Sequence, residues 1–310
     1  MNARPESRVA AVCEYLPEDV RTVLLRLDTG HRAKVEEIRL RVGKSLSLTL
    51  AGAELRLSKN GRLEEDDYFT VRPEHLSRLV ETASKSSVYS AQESIAEGYV
   101  TLPGGHRVGL CGSVVTRDGQ PSYMRHISSA SIRIAREVFG VSDGVYSDLC
   151  EGGFKSTLII SPPGCGKTTL LRDLIRRLSD NGMRVGVADE RGEIAACYEG
   201  EPQFDLGLHT DVIDRCEKAR GITMLLKNMS PDIIAVDEIT AEADIRAMQT
   251  ASYCGVSLLA SAHADGVSDL KSRLLYRRLL SLGVFKRMIT IRLEKSKRIY
   301  ELSEAEKWEE

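Results

Sequence analysis

One short segment constrains the fold more than any other part of the chain. It reads Ser161-Pro162-Pro163-Gly164-Cys165-Gly166-Lys167-Thr168 and matches the phosphate-loop (Walker A) pattern G-x-x-x-x-G-K-[ST], except that serine replaces the first glycine. The apolar run Thr157–Ile160 precedes it, and the amphipathic pattern Thr169–Leu178 follows it. A strand, a glycine-containing loop and a helix in this order predict a parallel α/β sheet with a phosphate site at its carboxyl edge.

The residues of this loop suit a nucleoside triphosphate and a magnesium ion. Gly166 lets the backbone approach a phosphate closely, and successive N–H groups then form an anion-binding nest. Lys167 can reach the β- and γ-phosphates, and the Thr168 hydroxyl suits Mg²⁺, which prefers oxygen ligands. A glycine turn that ends in Lys-Thr by chance is the alternative, and the flanking strand and helix argue against it. We therefore predict that ATP is contacted by Pro163, Gly164, Cys165, Gly166, Lys167, Thr168 and Thr169.

Acidic residues follow two other apolar strands. The run Ile233–Val236 ends in Asp237-Glu238, a Walker B-like pattern that predicts Asp237 in the Mg²⁺ shell and Glu238 as the group that activates water. The run Val185–Ala188 ends in a cluster that supplies three more candidate metal ligands, Asp189, Glu190 and Glu193. Acids at a turn or a solvated helix start are the alternatives.

A histidine and several arginines complete the candidate site. His263 follows the apolar run Val256–Ala260 by three residues. This position makes it a candidate to sense the γ-phosphate or to form a hydrogen bond with the catalytic acid. The alternative is a histidine with a structural role only. Arg133 and Arg136 are candidates to stabilise charge on the transferred phosphoryl group, and Arg107 is a weaker one. Surface salt bridges are the alternative for all three.

The pattern of elements divides the chain in two. Residues 141–310 alternate apolar strands with helical segments, including Asp214–Met229 and Ala241–Tyr253, which predicts an α/β domain with helices on both faces of a parallel sheet. Residues 1–140 mix helices with antiparallel-looking strands, an α+β pattern. These elements are the helices Arg8–Tyr15, Glu18–Leu27 and Pro73–Ser84, the strands Glu37–Val42, Ser45–Leu50, Ala53–Leu57 and Ser131–Arg136, and the hairpin of Gly98–Leu102 with Arg107–Thr116.

Composition limits the class of protein. The chain has 310 residues, of which 43 are Lys or Arg and 45 are Asp or Glu, and this balance argues against a nucleic-acid coat. Lys271–Arg298 is locally basic, with ten basic residues and one acid. It could face nucleic acid or anionic lipid, although a solvated helix and strand edge is the favoured reading. No apolar run long enough for a membrane span and no signal peptide is apparent, and seven cysteines without a CxxC pair fit a reducing cytoplasm.

The four motifs in order resemble the secretion-ATPase superfamily, the ring ATPases of type II and type IV secretion and of pilus movement. They are Ser161–Thr168, Asp189–Glu193, Ile233–Glu238 and Ser261–His263. The resemblance implies a RecA-like P-loop ATPase domain. One departure is that the superfamily often has Gly-Glu where this chain has Asp237-Glu238.

A closer resemblance covers nearly the whole chain. The segments Gly104–Gly109, Pro162–Asp173, Asp189–Ile194 and Ser230–Asp232 look like the stage III sporulation AA family. That resemblance implies a hexameric ATPase of endospore-forming bacteria that works in the mother cell with the proteins of the channel to the forespore. It would be cytoplasmic and recruited to the membrane by a partner.

We therefore expect an ATP-hydrolysing ring motor that energises or assembles this channel. A nucleic-acid-dependent RecA-like ATPase is the alternative, supported by the basic stretch but opposed by the neutral charge and by only 16 aromatic residues for base stacking. A nucleotide-binding scaffold without turnover is a third reading, which the presence of Glu238 disfavours.

Overall fold

The structure is a computed structural model that describes residues 5–84, 95–96, 98–117, 119–295 and 297–304. The chain divides into two compact units, Met1–Arg136 and Glu137–Glu310. The domain division at residue 140 stays a prediction, and the two units meet four residues before it. Of the helices in the described ranges, none combines the length and the apolar character that crossing a bilayer requires.

The first unit is built on a six-stranded antiparallel sheet with the order β3-β2-β1-β6-β5-β4. Its strands are β1 (Val35–Arg41), β2 (Ser47–Leu50), β3 (Ala53–Arg56), β4 (Tyr99–Leu102), β5 (His106–Arg117) and β6 (Gln120–Arg133). The sequence predicts a strand over Ser131–Arg136, and this prediction is wrong at both ends, because β6 runs from Gln120 to Arg133. Strand β6 begins earlier because Gln120–Ser129 pairs with β5 although it carries little apolar character. It ends before Arg136.

Four helices complete the described part of the first unit: α1 (Pro5–Cys13), α2 (Glu18–Arg26), α3 (Thr29–Arg32) and α4 (Pro73–Ser84). In α2, Pro17 occupies the N-cap position and the buried residues Val20, Val23 and Leu24 recur at helical spacing. These side chains and Leu76 of α4 join one hydrophobic core with the strands. Helices and antiparallel strands that share one core make this unit α+β, as predicted.

The second unit is built on a seven-stranded sheet with the order β13-β12-β7-β11-β10-β8-β9. All neighbours are parallel except the β12–β13 hairpin. Its strands are β7 (Thr157–Ser161), β8 (Val185–Asp189), β9 (Thr210–Asp214), β10 (Ile233–Glu238), β11 (Ser257–His263), β12 (Arg287–Glu294) and β13 (Lys297–Glu304). Because β7, β11, β10 and β8 are consecutive and parallel, the residues that end them lie along one edge of the sheet.

The helices of this unit are α5 (Asp143–Cys150), α6 (Lys167–Asp180), α7 (Lys218–Asn228), α8 (Glu242–Tyr253), α9 (Val267–Ser272) and α10 (Leu274–Ser281). Their apolar residues are buried in two hydrophobic clusters, and each cluster also contains residues from strands of the sheet. The helix predicted from Asp214 begins only at Lys218, and Thr210–Asp214 is strand β9 instead. Sequence reasoning also missed the β12–β13 hairpin, because the basic residues there obscure the alternating pattern.

A buried carboxylate ties the start of the second unit to α6. The side chain of Asp173 accepts hydrogen bonds from the backbone N–H groups of Gly140 and Ser142 at 3.3 and 2.9 Å. It also accepts one from the Ser142 hydroxyl at 2.7 Å and forms an ion pair with Arg176 at 2.8 Å. The segment 140–142 is therefore held to the helix that begins at the phosphate loop.

Candidate functional site

The phosphate loop has a backbone that requires glycine at two positions. Gly164 and Gly166 have φ angles of +76° and +96°, in the left-handed region that other residues rarely adopt. Helix α6 begins directly afterwards at Lys167, so its positive end points at the loop. Ser161, which replaces the first glycine of the pattern, is the last residue of β7 and is fully buried. Strand backbone places no demand for glycine at that position.

His263 reaches the phosphate loop because β11 is paired with β7, with His263 opposite Ser161. The Lys167 ammonium lies 2.6 Å from Nδ1 and 3.3 Å from Nε2 of the His263 ring. Burial lowers the pKa of Lys167, while the carboxylates of Asp237 and Glu238 act in the opposite direction. The structure thus brings the predicted phosphate-binding lysine and the predicted sensor histidine into direct contact.

Glu238 completes a line of three side chains. One of its carboxylate oxygens lies 3.7 Å from Nε2 of His263, on the neighbouring strand. The parallel pairing of β10 with β11 is irregular between Val236 and Glu238, where Glu238 comes opposite Ser261. Glu238, His263 and Lys167 are therefore consecutive neighbours along the carboxyl edge of the sheet.

Thr168 and Asp237 offer oxygen ligands for a divalent cation. Their side-chain oxygens lie 3.5 Å apart, and the Ser261 hydroxyl donates to the other Asp237 oxygen at 2.8 Å. Mg²⁺ is usually held by one or two protein oxygens together with water and phosphate oxygens, and this donor set fits that chemistry. Within the described residues, no cluster of three or more His, Cys, Asp or Glu side chains forms a preformed metal site.

The three carboxylates that follow β8 have different surroundings. The Asp189 carboxylate is buried and accepts hydrogen bonds from the backbone N–H groups of Glu193, Ile194 and Ala195 at 2.9, 3.2 and 2.8 Å. Burial raises the pKa of Asp189, and these three N–H groups partly offset that effect. Both Asp189 oxygens hold the loop that follows, and the metal-binding role predicted for Asp189 stays a prediction.

Glu190 and Glu193 share a small cavity with other predicted groups. They line a small cavity of about 20 Å³ together with Asp189, Lys218, Asp237 and Glu238, a volume that holds about one water molecule or one small ion. The metal-binding roles predicted for Glu190 and Glu193 stay predictions.

Lys218 is a site residue that sequence reasoning missed. Its side chain is 7% exposed, and its ammonium donates to the backbone carbonyl of Glu238. The same ammonium lies 3.4 Å from the carboxylate of Glu190 and 4.0 Å from that of Asp244. A signal existed, because Lys218 precedes Gly221, Ile222 and Leu225 by three, four and seven residues and so occupies the buried face of α7.

The predicted arginines of the first unit have contacts within that unit. Arg136 donates to the backbone carbonyls of Lys34 and Val35 at 2.6 and 3.1 Å. The Arg107 guanidinium lies 4.3 Å from the centre of the Tyr99 ring, and Arg133 is exposed on β6 opposite Arg107. Their contact with a nucleotide stays a prediction.

Many charges of the basic stretch 271–298 have partners in the same unit. Arg287 is buried and donates to the carbonyls of Asp148, Leu149 and Glu151. Ion pairs join Arg273 to Asp269, Arg278 to Glu242 and Arg292 to Glu301. Arg298 donates from Nε to the carbonyl of Cys165 at 2.8 Å. Each of these five arginines therefore has a hydrogen-bond or ion-pair partner within the second unit.

Two solved structures share this fold. The pilus retraction motor PilT with bound ADP has a TM-score of 0.60 and 16% identity, covering 92% of this chain and 82% of PilT. The ATPase DotB of Legionella pneumophila has a TM-score of 0.54 and 15% identity, covering 87% of this chain and 76% of DotB. The fold is therefore a RecA-like P-loop domain preceded by a smaller α+β domain, and the predicted fold class is confirmed.

The sequence comparisons are more specific. Residues 6–302 match the family described as "Sporulation stage III, protein AA". A relative from Bacillus subtilis (strain 168), "Stage III sporulation protein AA", is 39% identical over 286 residues, which cover 90% of this chain and 90% of the relative. The chain therefore belongs to the sporulation stage III protein AA family, as its motifs predicted.

Proposed function

We propose that this protein hydrolyses ATP with the help of Mg²⁺. The observation that carries the proposal is the line of Lys167, His263 and Glu238 at the carboxyl edge of the sheet, beside the oxygens of Thr168 and Asp237. A loop that binds phosphate, two oxygen ligands and a carboxylate next to a histidine are the parts that phosphoryl transfer to water needs.

Each side chain has a role that follows from its position. The loop N–H groups and the Lys167 ammonium hold the β- and γ-phosphates, and Thr168 and Asp237 hold the metal ion. When bound, Mg²⁺ supplies positive charge that offsets the charge developing on the phosphate oxygens. Glu238 orients the attacking water and accepts its proton, and His263 fixes the positions of Glu238 and Lys167 relative to each other.

At the level of the assembly, we propose a homo-hexameric ring that energises or assembles the channel between mother cell and forespore. The family match to a stage III sporulation protein supports this role, as does the likeness to a retraction motor and a second ATPase. The proposed location is the cytoplasm of the mother cell, with a membrane-embedded partner of the same complex recruiting the protein. Arg133 and Arg136 are the proposed arginines that reach a nucleotide.

The test is an assay of phosphate release by the purified chain with Mg²⁺ and ATP, across separated oligomeric fractions. We expect hydrolysis that depends on Mg²⁺ and is lost in Lys167→Ala, because the ammonium on the phosphates is removed. Lys227→Ala is the matched control, since Lys227 is an exposed lysine of the same unit. Hydrolysis at the wild-type rate in Lys167→Ala contradicts the proposal, and strong stimulation by single-stranded DNA favours the nucleic-acid-dependent alternative.

A further inference from the structure

The sheet is irregular where strand β10 delivers the proposed base. The pairing of β10 with β11 shifts between Val236 and Glu238, and Glu238 comes opposite Ser261. Irregularities of this kind re-aim nearby side chains and are frequent next to active sites. Because the regular register is lost here, contacts from the neighbouring helices set the path of the backbone that carries Glu238.

Two buried side chains hold the backbone carbonyls at this point. The Lys218 ammonium, at the start of α7, donates to the carbonyl of Glu238 at 2.5 Å. The Tyr276 hydroxyl, on α10, donates to the carbonyl of Ile239 at 2.8 Å. Lys218 and Tyr276 are 6% and 5% exposed, so both hydrogen bonds lie in an environment of low dielectric, where they are stronger than in water.

A third helix holds the residues that follow. The Asp244 carboxylate, in the first turn of α8, accepts hydrogen bonds from the backbone N–H groups of Thr240 and Ala241 at 3.2 and 3.1 Å. The Lys218 ammonium lies 4.0 Å from the same carboxylate oxygen. Polar atoms from α7, α8 and α10 therefore hold four consecutive residues, 238–241, at the end of β10.

Tyr276 keeps its proton at neutral pH. Burial raises the pKa of its hydroxyl to about 12, and the negative charge of Glu238 acts in the same direction. A backbone carbonyl can only accept a hydrogen bond, so the protonated hydroxyl is the state that the contact with Ile239 requires.

We propose that Lys218 and Tyr276 are positioning residues for Glu238, which hold the end of β10 so that the carboxylate stays beside His263 and within reach of the attacking water. The inference rests on the proposed function. A general base must lie within hydrogen-bond distance of the proton that it accepts, and a displacement of about 1 Å lowers a rate about a hundredfold. Both side chains act through the backbone of residues 238 and 239, so neither is a catalytic residue.

The first test is Tyr276→Phe in the full chain, which removes one hydroxyl and keeps the ring. The single-turnover rate of phosphate formation from ATP and Mg²⁺ is expressed per ADP-binding site, counted by calorimetry, so that unfolded molecules do not contribute. We expect this rate to fall about ten- to hundredfold, while ADP affinity changes by less than about twofold. Tyr253→Phe is the matched control, because Tyr253 is an exposed tyrosine of the same unit.

A role that passes through Glu238 differs from a merely structural role in the double variant. When Glu238→Gln has already removed the base, Tyr276→Phe has no carboxylate left to displace, so we expect it to lower the remaining rate by less than about twofold. The same fold-loss with and without Glu238→Gln overturns the positioning role, and so does an unchanged rate in Tyr276→Phe alone.

Lys218→Met is the second variant, and we expect the same pattern with and without Glu238→Gln. Its rate is also expressed per ADP-binding site, because loss of the buried ammonium lowers stability as well. Lys227→Met, at an exposed position of α7, is its control. Wild-type turnover with unchanged rates in both variants overturns the positioning role alone, whereas a wild-type chain that neither binds ADP nor hydrolyses ATP overturns the proposed function with it.

Discussion

The Lys167 ammonium lies 2.6 Å from Nδ1 of His263. The same ammonium lies 3.3 Å from Nε2, so it sits beside both nitrogens of the ring. The Nε2 atom in turn lies 3.7 Å from a carboxylate oxygen of Glu238. The His263 ring therefore stands between the lysine of the phosphate loop and the carboxylate that we propose as the base.

Glu238→Gln removes the proton acceptor and leaves the shape of the side chain nearly unchanged. We expect turnover of ATP to fall about 10²- to 10⁴-fold, the usual contribution of a general base, while ADP binding stays near the wild-type value. Phosphate release and calorimetry measure the two quantities. Glu242→Gln is the control, since Glu242 forms an ion pair with Arg278 away from the loop. Turnover at the wild-type rate in Glu238→Gln would show that another group activates the water.

His263→Ala removes the side chain that lies between Lys167 and Glu238. We expect kcat to fall about ten- to hundredfold, as is common when a partner of a catalytic group is lost, with a smaller change in KM. His263→Asn should recover part of the rate, because its amide oxygen can accept a hydrogen bond from Lys167 in place of Nδ1. The control is His209→Ala, at an exposed position. Equal rates in His263→Ala and the wild type would contradict the positioning role.

Lys218→Met leaves buried polar groups without their ammonium partner. The Asp244 side chain is 6% exposed and the Lys218 side chain 7% exposed, so we expect the free energy of unfolding to fall by about 3–5 kcal/mol. Urea unfolding of the full chain, followed by a probe in the second unit, measures the loss. Lys227→Met on the same helix is the control at an exposed position. A loss below about 1 kcal/mol would mean that water replaces the lysine.

The lowered pKa of His106 predicts how the stability of the first unit depends on pH. Burial lowers the pKa of His106 to about 4, and Arg8 acts in the same direction. Between pH 6.5 and pH 4 the unfolded chain binds a proton that the folded chain does not, so stability is complete above the unfolded pKa and falls with decreasing pH. We expect a loss of up to about 2 kcal/mol between pH 6.5 and pH 5.

The variant that checks this prediction is His106→Asn. Its amide oxygen can replace Nδ1, which accepts the backbone N–H of Ala135 at 3.1 Å, but it does not titrate. Unfolding of both proteins at pH 7 and pH 5 should show a smaller loss for the variant, whereas His209→Asn should behave like the wild type. The same pH dependence in His106→Asn would assign the effect to other groups.

The sequence predicts the phosphate loop together with the strand before it and the helix after it. Glycine, lysine and threonine at this fixed spacing between a strand and a helix are specific to phosphate-binding loops. The sequence also predicts Asp237, Glu238 and His263 as site residues, which follow short apolar runs. Parallel strands of that kind end at one edge of a sheet, so their order in the sequence indicated that these side chains would converge. The contact of Lys167 with His263 follows from the register of β11 on β7, which depends on tertiary packing.

Other features depend on partners that the sequence does not reveal. The strand-end position of Asp189 predicts a metal ligand, and this role stays a prediction. That its oxygens accept the backbone N–H groups of the next loop is seen only in the structure. Lys218 reads like a surface charge, although it occupies the buried face of α7. Arg298 belongs to a stretch that reads as solvated, and yet the hairpin carries it to the phosphate loop. For Lys218 and Arg298 the partner is distant in sequence, whereas the partners of Asp189 lie four to six residues further along the chain.

The bonds from Asp173 to Gly140 and Ser142 have a mechanical consequence. Asp173 lies six residues after Lys167 on α6, and a helix transmits displacement along its axis with little bending over so short a span. The segment 140–142 and α6 are therefore joined as one packed piece, and a displacement of the helix would carry this segment with it. The Asp173 carboxylate thus links the position of the helix that begins at the phosphate loop to a stretch of backbone near the start of the second unit.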